Sequence, residues 1–217
     1  MSSPRTTVDK TERRLALLRA ARDVFDARGY HDAKVEDIVA AAQVAKGTFY
    51  LYFRDKRSVL EELVDSLFVR IGAAIVRIDI TRDVEPQVQH NVRAIVATFL
   101  DDPALTQIVL SWATGLDPAF VEKVQSFYEG ARARVRDALA EGQTLGIVAE
   151  GDPSFQATFA IGALKEILLE STSTKKPRGL ETIVRELLRF LGNGLLLVPP
   201  KGPRRKGATG RTSRSRS

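Results

Sequence analysis

The chain has 217 residues, a net charge of +6 and no cysteine. A chain of this length buries roughly 70% of the surface of its unfolded form, so its core needs no disulfide or metal. Without cysteine it forms no disulfide, no thiolate zinc site and no cysteine nucleophile. The longest apolar runs fall far short of the ~20 residues of a membrane-spanning helix, and no apolar segment follows the N-terminal charges as in a secretory signal. We expect a cytoplasmic protein that does not enter the membrane.

Positive charge is concentrated at the two ends of the chain. Residues 1–57 contain 12 Lys and Arg against 8 Asp and Glu, and residues 199–217 contain 7 Lys and Arg and no acidic residue. The middle of the chain, 58–198, is net acidic. This asymmetry is typical of a protein whose ends meet a polyanion, although an ordinary solvated surface explains it equally well.

Three short helices are predicted in the first quarter of the chain. Asp9 and Glu12 have the spacing of a capping box, and Gly29 is a natural end for the helix that follows them. A second helix is predicted over 35–42 and a third over 46–52, with Gln43, Val44 and Ala45 in the turn between them.

The rest of the chain also has the pattern of helices. Apolar residues recur with a period near 3.6 from about residue 55 to residue 78, which predicts a long connecting helix. Asp-Pro pairs at 102, 117 and 152 each place an N-cap acid before a proline at the first helical position. No segment alternates with period two, so we predict an all-α fold of about nine helices. The remaining helices are predicted at 86–101, 103–114, 118–144, 153–171 and 179–197.

The segment 33–57, AKVEDIVAAAQVAKGTFYLYFRDKR, combines a short helix, a tight turn and a second helix rich in groups that can contact phosphate or base edges. Two helices joined by a turn, the second polar and aromatic, are the layout of a helix-turn-helix DNA-binding unit. The alternative is an enzyme or a scaffold that merely contains three such short helices.

The same residues resemble the TetR (tetracycline-repressor-like) family of bacterial transcriptional regulators. The resemblance covers about residues 10–60 and rests on Val24-Phe25 with Arg28-Gly29-Tyr30, and above all on the run KGTFY-x-YF-xx-K that begins at Lys46. It implies three N-terminal helices that bind DNA, carried on a larger helical domain for ligand binding and dimerisation. It also implies a dimeric repressor of transcription that a small ligand releases from a palindromic operator.

The domain boundaries follow from this interpretation. We predict a helix-turn-helix domain over 10–57, a helical regulatory and dimerisation domain over 58–198, and a disordered basic tail over 199–217. The tail is a second candidate for DNA contact, although a solvated tail is the simpler explanation. A regulator of the same fold that has no small-molecule ligand, and is controlled by a protein partner or by abundance, is the alternative function.

The predicted DNA contacts follow from the chemistry of each side chain. Gly47 allows close approach to the DNA backbone, and a threonine offers a hydroxyl and a methyl group to base edges. A lysine in the first turn of the fourth helix, with its free backbone N–H groups, makes a phosphate clamp. We expect contacts from Lys34, Lys46, Gly47, Thr48, Tyr50, Tyr52 and Lys56.

Three positions depart from the family pattern. Gln43 stands where a small residue is common in the turn, and it is strained if that position needs a positive φ. Ala45 stands where Ser or Thr usually precedes the Lys-Gly pair, so it cannot cap the recognition helix, at a cost of about 1 kcal/mol. Lys34 replaces the usual Thr at the start of the second helix, where Asp32 is the candidate to take over the capping.

Catalysis has little support in the sequence. The two histidines, His31 and His90, have no carboxylate or serine at a telling spacing, and the chain has no glycine-rich phosphate loop, nucleophile elbow or metal-ligand cluster. We therefore expect no enzyme, no cofactor and no metal.

A ligand pocket and a dimer interface are predicted in the body. The middle helices carry large apolar residues and few charges, which favours a neutral apolar ligand, although each of these residues is equally suited to the core. The candidate pocket residues are Phe99, Ile108, Trp112, Phe120, Phe127 and Tyr128. The last two helices are predicted to form a four-helix interface with a second copy, the alternative being burial within one chain. The candidate interface residues are Phe155, Phe159, Ala163, Ile167, Val184, Leu187 and Leu191.

Overall fold

A computed structural model describes the backbone of residues 4–111, 118–174 and 176–194, and the side chains of residues 10–111, 118–174 and 176–192. Over these ranges the chain forms nine helices and no strand, which confirms the predicted all-α fold. The predicted basic tail and Trp112 lie outside the described residues. The helices are α1 (Pro4–Arg28), α2 (Val35–Ala41), α3 (Lys46–Tyr50), α4 (Lys56–Ala74), α5 (Val84–Leu100), α6 (Pro103–Leu110), α7 (Pro118–Thr144), α8 (Pro153–Ser173) and α9 (Leu180–Gly194).

The aspartate caps predicted at Asp102 and Asp152 are confirmed, whereas Asp117 lies outside the described residues. The carboxylate of Asp55 accepts a hydrogen bond from the backbone N–H of Ser58 at 2.7 Å, which caps α4. Asp102 and Asp152 cap α6 and α8 in the same manner. The expected cap at Asp9 is wrong, because α1 begins earlier, at Pro4, and runs through that residue.

The N-terminal helices α1, α2 and α3, with the first turns of α4, form a head around one apolar centre. Leu17 and Ala21 of α1, Ile38 of α2 and Phe49 of α3 are fully buried there, together with Leu60 of α4. Burying a side chain such as Phe or Leu contributes roughly 1.5–3 kcal/mol, so Phe49 alone fixes a helix of five residues to the rest of the head. Helices α5 to α9 form the body.

The cores of head and body are continuous. One cluster of buried residues extends from Leu17 in α1 through Leu67 in α4 to Leu187 in α9. The helix α4 serves both parts, since Val59 and Leu60 lie in the head whereas Phe68 stacks on Phe127 of the body, with ring centres 3.5 Å apart. A displacement of α4 in the body therefore reaches the head directly.

A second connection joins α1 to α6. Nε of Arg22 lies 2.9 Å from a carboxylate oxygen of Asp102, and Arg22 also donates to the carbonyl of Asp101. The Asp102 side chain is almost completely buried, and burial raises the pKa of its carboxyl, against the hydrogen bond from the N–H of Leu105 and the charge of Arg22. This ion pair fixes the middle of α1 to the start of α6.

None of the described helices is long and apolar enough to cross a lipid bilayer.

Candidate nucleic-acid interface

The turn between α2 and α3 places Gln43 in the left-handed region, with φ at 54°. The C-cap residue before it, Ala42, keeps an ordinary φ of −77°, and the N–H of Val44 then donates to the carbonyl of Val39 at 3.0 Å. The expectation that this turn needs a positive φ is therefore confirmed. In this left-handed conformation a residue with a Cβ, such as Gln43, is less stable than glycine by roughly 1–2 kcal/mol.

The first turn of α3 lacks a side-chain cap, as predicted. Ala45 has the extended conformation of an N-cap residue, φ −70° and ψ 148°, but its methyl group accepts no hydrogen bond. The N–H of Thr48 is instead satisfied by the backbone carbonyl of Ala45 at 2.8 Å.

The start of α2 is stabilised by Asp37 and not by Asp32. The N–H of Lys34 donates to the Asp37 carboxylate at 3.0 Å, and Arg28 forms an ion pair with the same carboxylate at 2.9 Å. Lys34 has no acceptor atom and points its charge to solvent at this helix start.

Two faces of α3 have opposite environments. Phe49 is fully buried, whereas the side chains of Lys46 and Tyr50 are exposed, Tyr50 by 52%. A Cβ added at Gly47 would meet nothing within 4 Å, so the space over this residue is open to a partner. Thr48 is half-buried, and Tyr52 lies beyond the end of the helix, half-buried against the core. The predicted contacts that α3 offers most freely are therefore Lys46, Gly47 and Tyr50.

Lys46 is held by a residue that the sequence did not indicate. Its ammonium lies 2.5 Å from a carboxylate oxygen of Glu36, an acid in the first turn of α2. The hydrogen bond with Glu36 raises the pKa of Lys46 and lowers that of Glu36. Both groups are exposed, so the DNA contact predicted for Lys46 requires that its ammonium leave this carboxylate.

Lys56 is not free in this conformation. Its ammonium donates to the carbonyls of Tyr30, His31 and Ala33, at 2.5, 3.2 and 2.8 Å, and lies 4.4 Å from the centre of the Tyr30 ring. Burial lowers the pKa of this ammonium. All three of its hydrogens are used to fix the loop between α1 and α2, so the phosphate contact predicted for Lys56 requires their release.

The described residues of the predicted ligand pocket lie in different surroundings. Phe99 and Phe120 are buried in the core, and Phe127 stacks on Phe68. Tyr128 is half-buried on α7. Ile108 lines a cavity of about 430 Å³, but that cavity lies between α6 and the head. Helix packing surrounds Phe99 and Phe120, and the pocket assignment stays a prediction.

The predicted dimer face is divided by the structure. Phe155 and Phe159 of α8 are 71% and 50% exposed, and the Phe159 ring stacks on exposed Phe190 of α9 with centres 5.4 Å apart. Val184 and Leu187, by contrast, are only 3% and 7% exposed. They pack in the core of their own chain, where α9 contacts α5, which is the alternative stated for this helix, and the interface assignment stays a prediction. The remaining interface candidates, Ala163, Ile167 and Leu191, are half-buried.

Among the described residues, no group of three or more His, Asp and Glu is placed to hold a metal ion.

Comparison with known proteins gives a consistent result. Residues 17–63 match the family model described as bacterial regulatory proteins, tetR family, which confirms the predicted resemblance. The chain is 34% identical over 102 residues to YdgC, an HTH-type transcriptional regulator of Bacillus subtilis (strain 168), a match that covers 45% of this chain and 52% of that relative. The chain thus spans about half the length of this curated relative.

Two solved structures extend the comparison to the body. The fatty acid degradation regulator FadR from Bacillus halodurans is 25% identical, with a TM-score of 0.67 over 88% of this chain and 96% of that one. The regulator AibR, solved with isovaleryl coenzyme A and operator DNA, is 18% identical, with a TM-score of 0.65 over 81% of this chain and 96% of that one. The arrangement of head and body is therefore shared with these proteins.

Proposed function

We propose that the chain, whose residues 17–63 match the tetR family of bacterial regulatory proteins, is a sequence-specific DNA-binding regulator of transcription, a dimeric repressor that a small apolar ligand releases. The observation that carries the proposal is the outer face of α3. A five-residue helix anchored by buried Phe49 presents Lys46, Gly47 and Tyr50 to solvent, next to a net positive head. Short recognition helices that offer such groups at their N-terminal end read base edges in the major groove.

The proposal is tested by selecting bound sequences from random duplex DNA at two salt concentrations. We expect a palindromic motif that survives at the higher salt, because base contacts depend less on counterion release than phosphate contacts do. Flat enrichment that disappears with salt would mean general polyanion binding and would overturn the proposal.

The residues of α3 are tested on the selected motif. Lys46→Ala together with Tyr50→Ala is expected to weaken binding by about tenfold or more without loss of folding. Lys123→Ala is a matched control, since Lys123 also pairs with an exposed acid, Asp65 at 2.7 Å, but lies on α7. Equal losses in the two proteins would exclude a specific role for α3.

The exposed aromatic group on α8 and α9 supports the dimer. Phe155, Phe159 and Phe190 form an apolar surface that is unusual on a solvated helix pair and suits a second copy across a two-fold axis. Two heads brought together in this manner read half-sites about one DNA turn apart. Sedimentation should show a dimer for the wild type and a monomer for Phe159→Glu, whereas a charge placed at exposed Leu51 in the head, as Leu51→Glu, should leave the dimer intact.

Ligand release is proposed to act through α4. The stacked pair Phe68–Phe127 couples α4 to α7, so a ligand that moves α7 shifts the helix that supports the head. The solved complex of AibR with a ligand and operator DNA illustrates that a protein of this fold binds both. A thermal-shift screen of small apolar compounds finds candidate ligands, because a bound ligand raises the unfolding midpoint. A ligand that releases the protein must lower the affinity for the operator by the same factor by which the operator lowers the affinity for the ligand.

A further inference from the structure

A cavity of about 430 Å³ lies at the junction of head and body. One wall comes from the end of α1 and the loop after it, with Phe25, Asp26 and Tyr30. The other comes from α6, with Pro103, Ala104 and Ile108. A volume of this size falls within the range of roughly 300–1,000 Å³ that is typical of sites for small molecules.

The charge of the cavity lining selects the kind of ligand. Asp26 supplies the sole carboxylate among the lining residues, which include His31 but no lysine or arginine. The structure shows no ion pair or hydrogen bond between the Asp26 side chain and any other described residue. This carboxylate would repel an anion, whereas a cation would gain a partner.

The uncharged part of the lining is apolar and aromatic. The Phe25 and Tyr30 rings meet edge to face, with centres 5.3 Å apart, opposite Pro103 and Ile108. Such walls favour an organic cation with an apolar body over a small hydrated ion.

The lining also has a polar group. Gln107 of α6 donates from its amide to the carbonyl of Thr172 in α8 at 2.5 Å, which fixes the amide and leaves its oxygen as an acceptor. From these observations we propose that the junction cavity binds an amphipathic organic cation, an amine or a quaternary ammonium compound with an apolar body. Asp26 binds the charge, and Phe25, Pro103 and Ile108 contact the body of the ligand.

The cavity lies at the contact between the head and the body. Arg22 and Asp102 join α1 to α6 one turn away, so the two walls belong to the head and to the body at the contact that sets their relative orientation. An occupant touches both walls and stabilises this orientation. The site is distinct from the apolar ligand site proposed in the body, and it is present whether or not the protein represses transcription.

The test is a calorimetric titration of the full chain, without DNA, with benzyltrimethylammonium and with its uncharged isostere neopentylbenzene. We expect one site per chain for the cation and weaker binding of the isostere. Asp26→Asn should weaken binding of the cation about fivefold, the effect of removing one partly solvated charge partner. Asp23→Asn is the matched control, since Asp23 is an exposed aspartate of the same helix that does not line the cavity.

A second variant tests the cavity itself. Ile108→Trp fills the space and should abolish binding of both compounds. If the tryptophan impairs folding, Asp26→Asn still tests the proposal, because that substitution is on the surface. Absence of binding to the wild type, or equal binding to the wild type and Asp26→Asn, would overturn the proposal. Because no DNA is present, either result is independent of whether the protein reads an operator.

Discussion

Single residues of the helix-turn-helix unit carry local costs that the structure makes explicit. Gln43 is the one non-glycine residue with a positive φ in the described part of the chain. Glu36 holds the ammonium of Lys46 at 2.5 Å, and Lys56 is tied to three carbonyls. The head therefore stores both backbone strain and pre-formed polar contacts at the surface proposed to bind DNA.

Replacement of Gln43 by glycine should stabilise the protein. The left-handed conformation costs a non-glycine residue about 1–2 kcal/mol, and glycine removes this strain. Glycine also makes the unfolded chain more flexible, which offsets part of the gain, so we expect the free energy of unfolding to rise by up to about 1 kcal/mol. Urea unfolding measures it. Ala42→Gly is the control, since Ala42 has a φ of −77° and should lose about 0.5–1 kcal/mol. A loss in both variants would show that Gln43 is not strained.

Replacement of Glu36 by glutamine should strengthen DNA binding. The substitution frees Lys46 and removes a negative charge beside the proposed phosphate contacts, so the gain should be largest at low salt. Fluorescence anisotropy with the selected DNA at several salt concentrations measures it. Glu170→Gln is the control, because Glu170 pairs with Arg178 at 3.0 Å in the body and should leave affinity unchanged. Weaker binding by Glu36→Gln would assign the carboxylate a direct role in recognition.

At the scale of elements, helix α3 depends on its surroundings. It has five residues and no side-chain cap, and isolated helices of this length do not form in water. Its order comes from Phe49, which is fully buried in the core of the head. Helix α9 also depends on its surroundings, because its apolar face is buried against α5. Its aromatic residue Phe190 stays exposed.

A cap placed before α3 should stabilise that helix. Ala45 already has the extended backbone of an N-cap residue, so Ala45→Ser offers an oxygen to the N–H of Gly47 or Thr48 and should add about 0.5–1 kcal/mol to the free energy of unfolding. Hydrogen exchange at 46–50 should slow in proportion. Ala45→Val changes the size without adding an acceptor and should give no such protection. Equal protection in both variants would mean that side-chain packing, and not capping, orders α3.

At the scale of the whole molecule, head and body are one structure joined by α4 and by the pair Arg22–Asp102. The core runs from the head into the body without a break in its packing. Any ligand that acts on the body, or at the junction cavity, is expected to reach the DNA-binding face through these two connections.

Removal of Arg22 should loosen that connection in a pH-dependent manner. Arg22→Ala leaves the Asp102 carboxylate buried without its ion partner, and since Arg22 itself is 42% exposed we expect a loss of about 1–2 kcal/mol at neutral pH, less than for a fully buried pair. The substitution raises the pKa of Asp102 further. Stability is lost only when the Asp102 carboxylate is ionised. The difference in the free energy of unfolding between the variant and the wild type is therefore present above the pKa of Asp102 in the folded protein and shrinks as the pH falls through it.

Urea unfolding at neutral and acidic pH measures this difference. Arg19→Ala, an exposed position on the same helix, should cost little at either pH. A loss for Arg22→Ala that stays constant with pH would show that the side chain acts through packing and not through the charge of Asp102.

The sequence by itself determined the helices and the aspartate caps at Asp102 and Asp152. These features depend on periodicity and on contacts between neighbours in the chain, so the residues involved are close in sequence. The strain at Gln43 and the missing cap at Ala45 were predictable for the same reason.

Only the tertiary structure decided which apolar faces meet. Val184 and Leu187 have the same helical pattern whether they face a second copy or α5, and the difference is set by long-range packing. The hold of Glu36 on Lys46 and the cavity between α1 and α6 likewise join residues far apart in the chain. Hydrophobic burial is non-directional, so a sequence shows that a face must be covered but not which partner covers it.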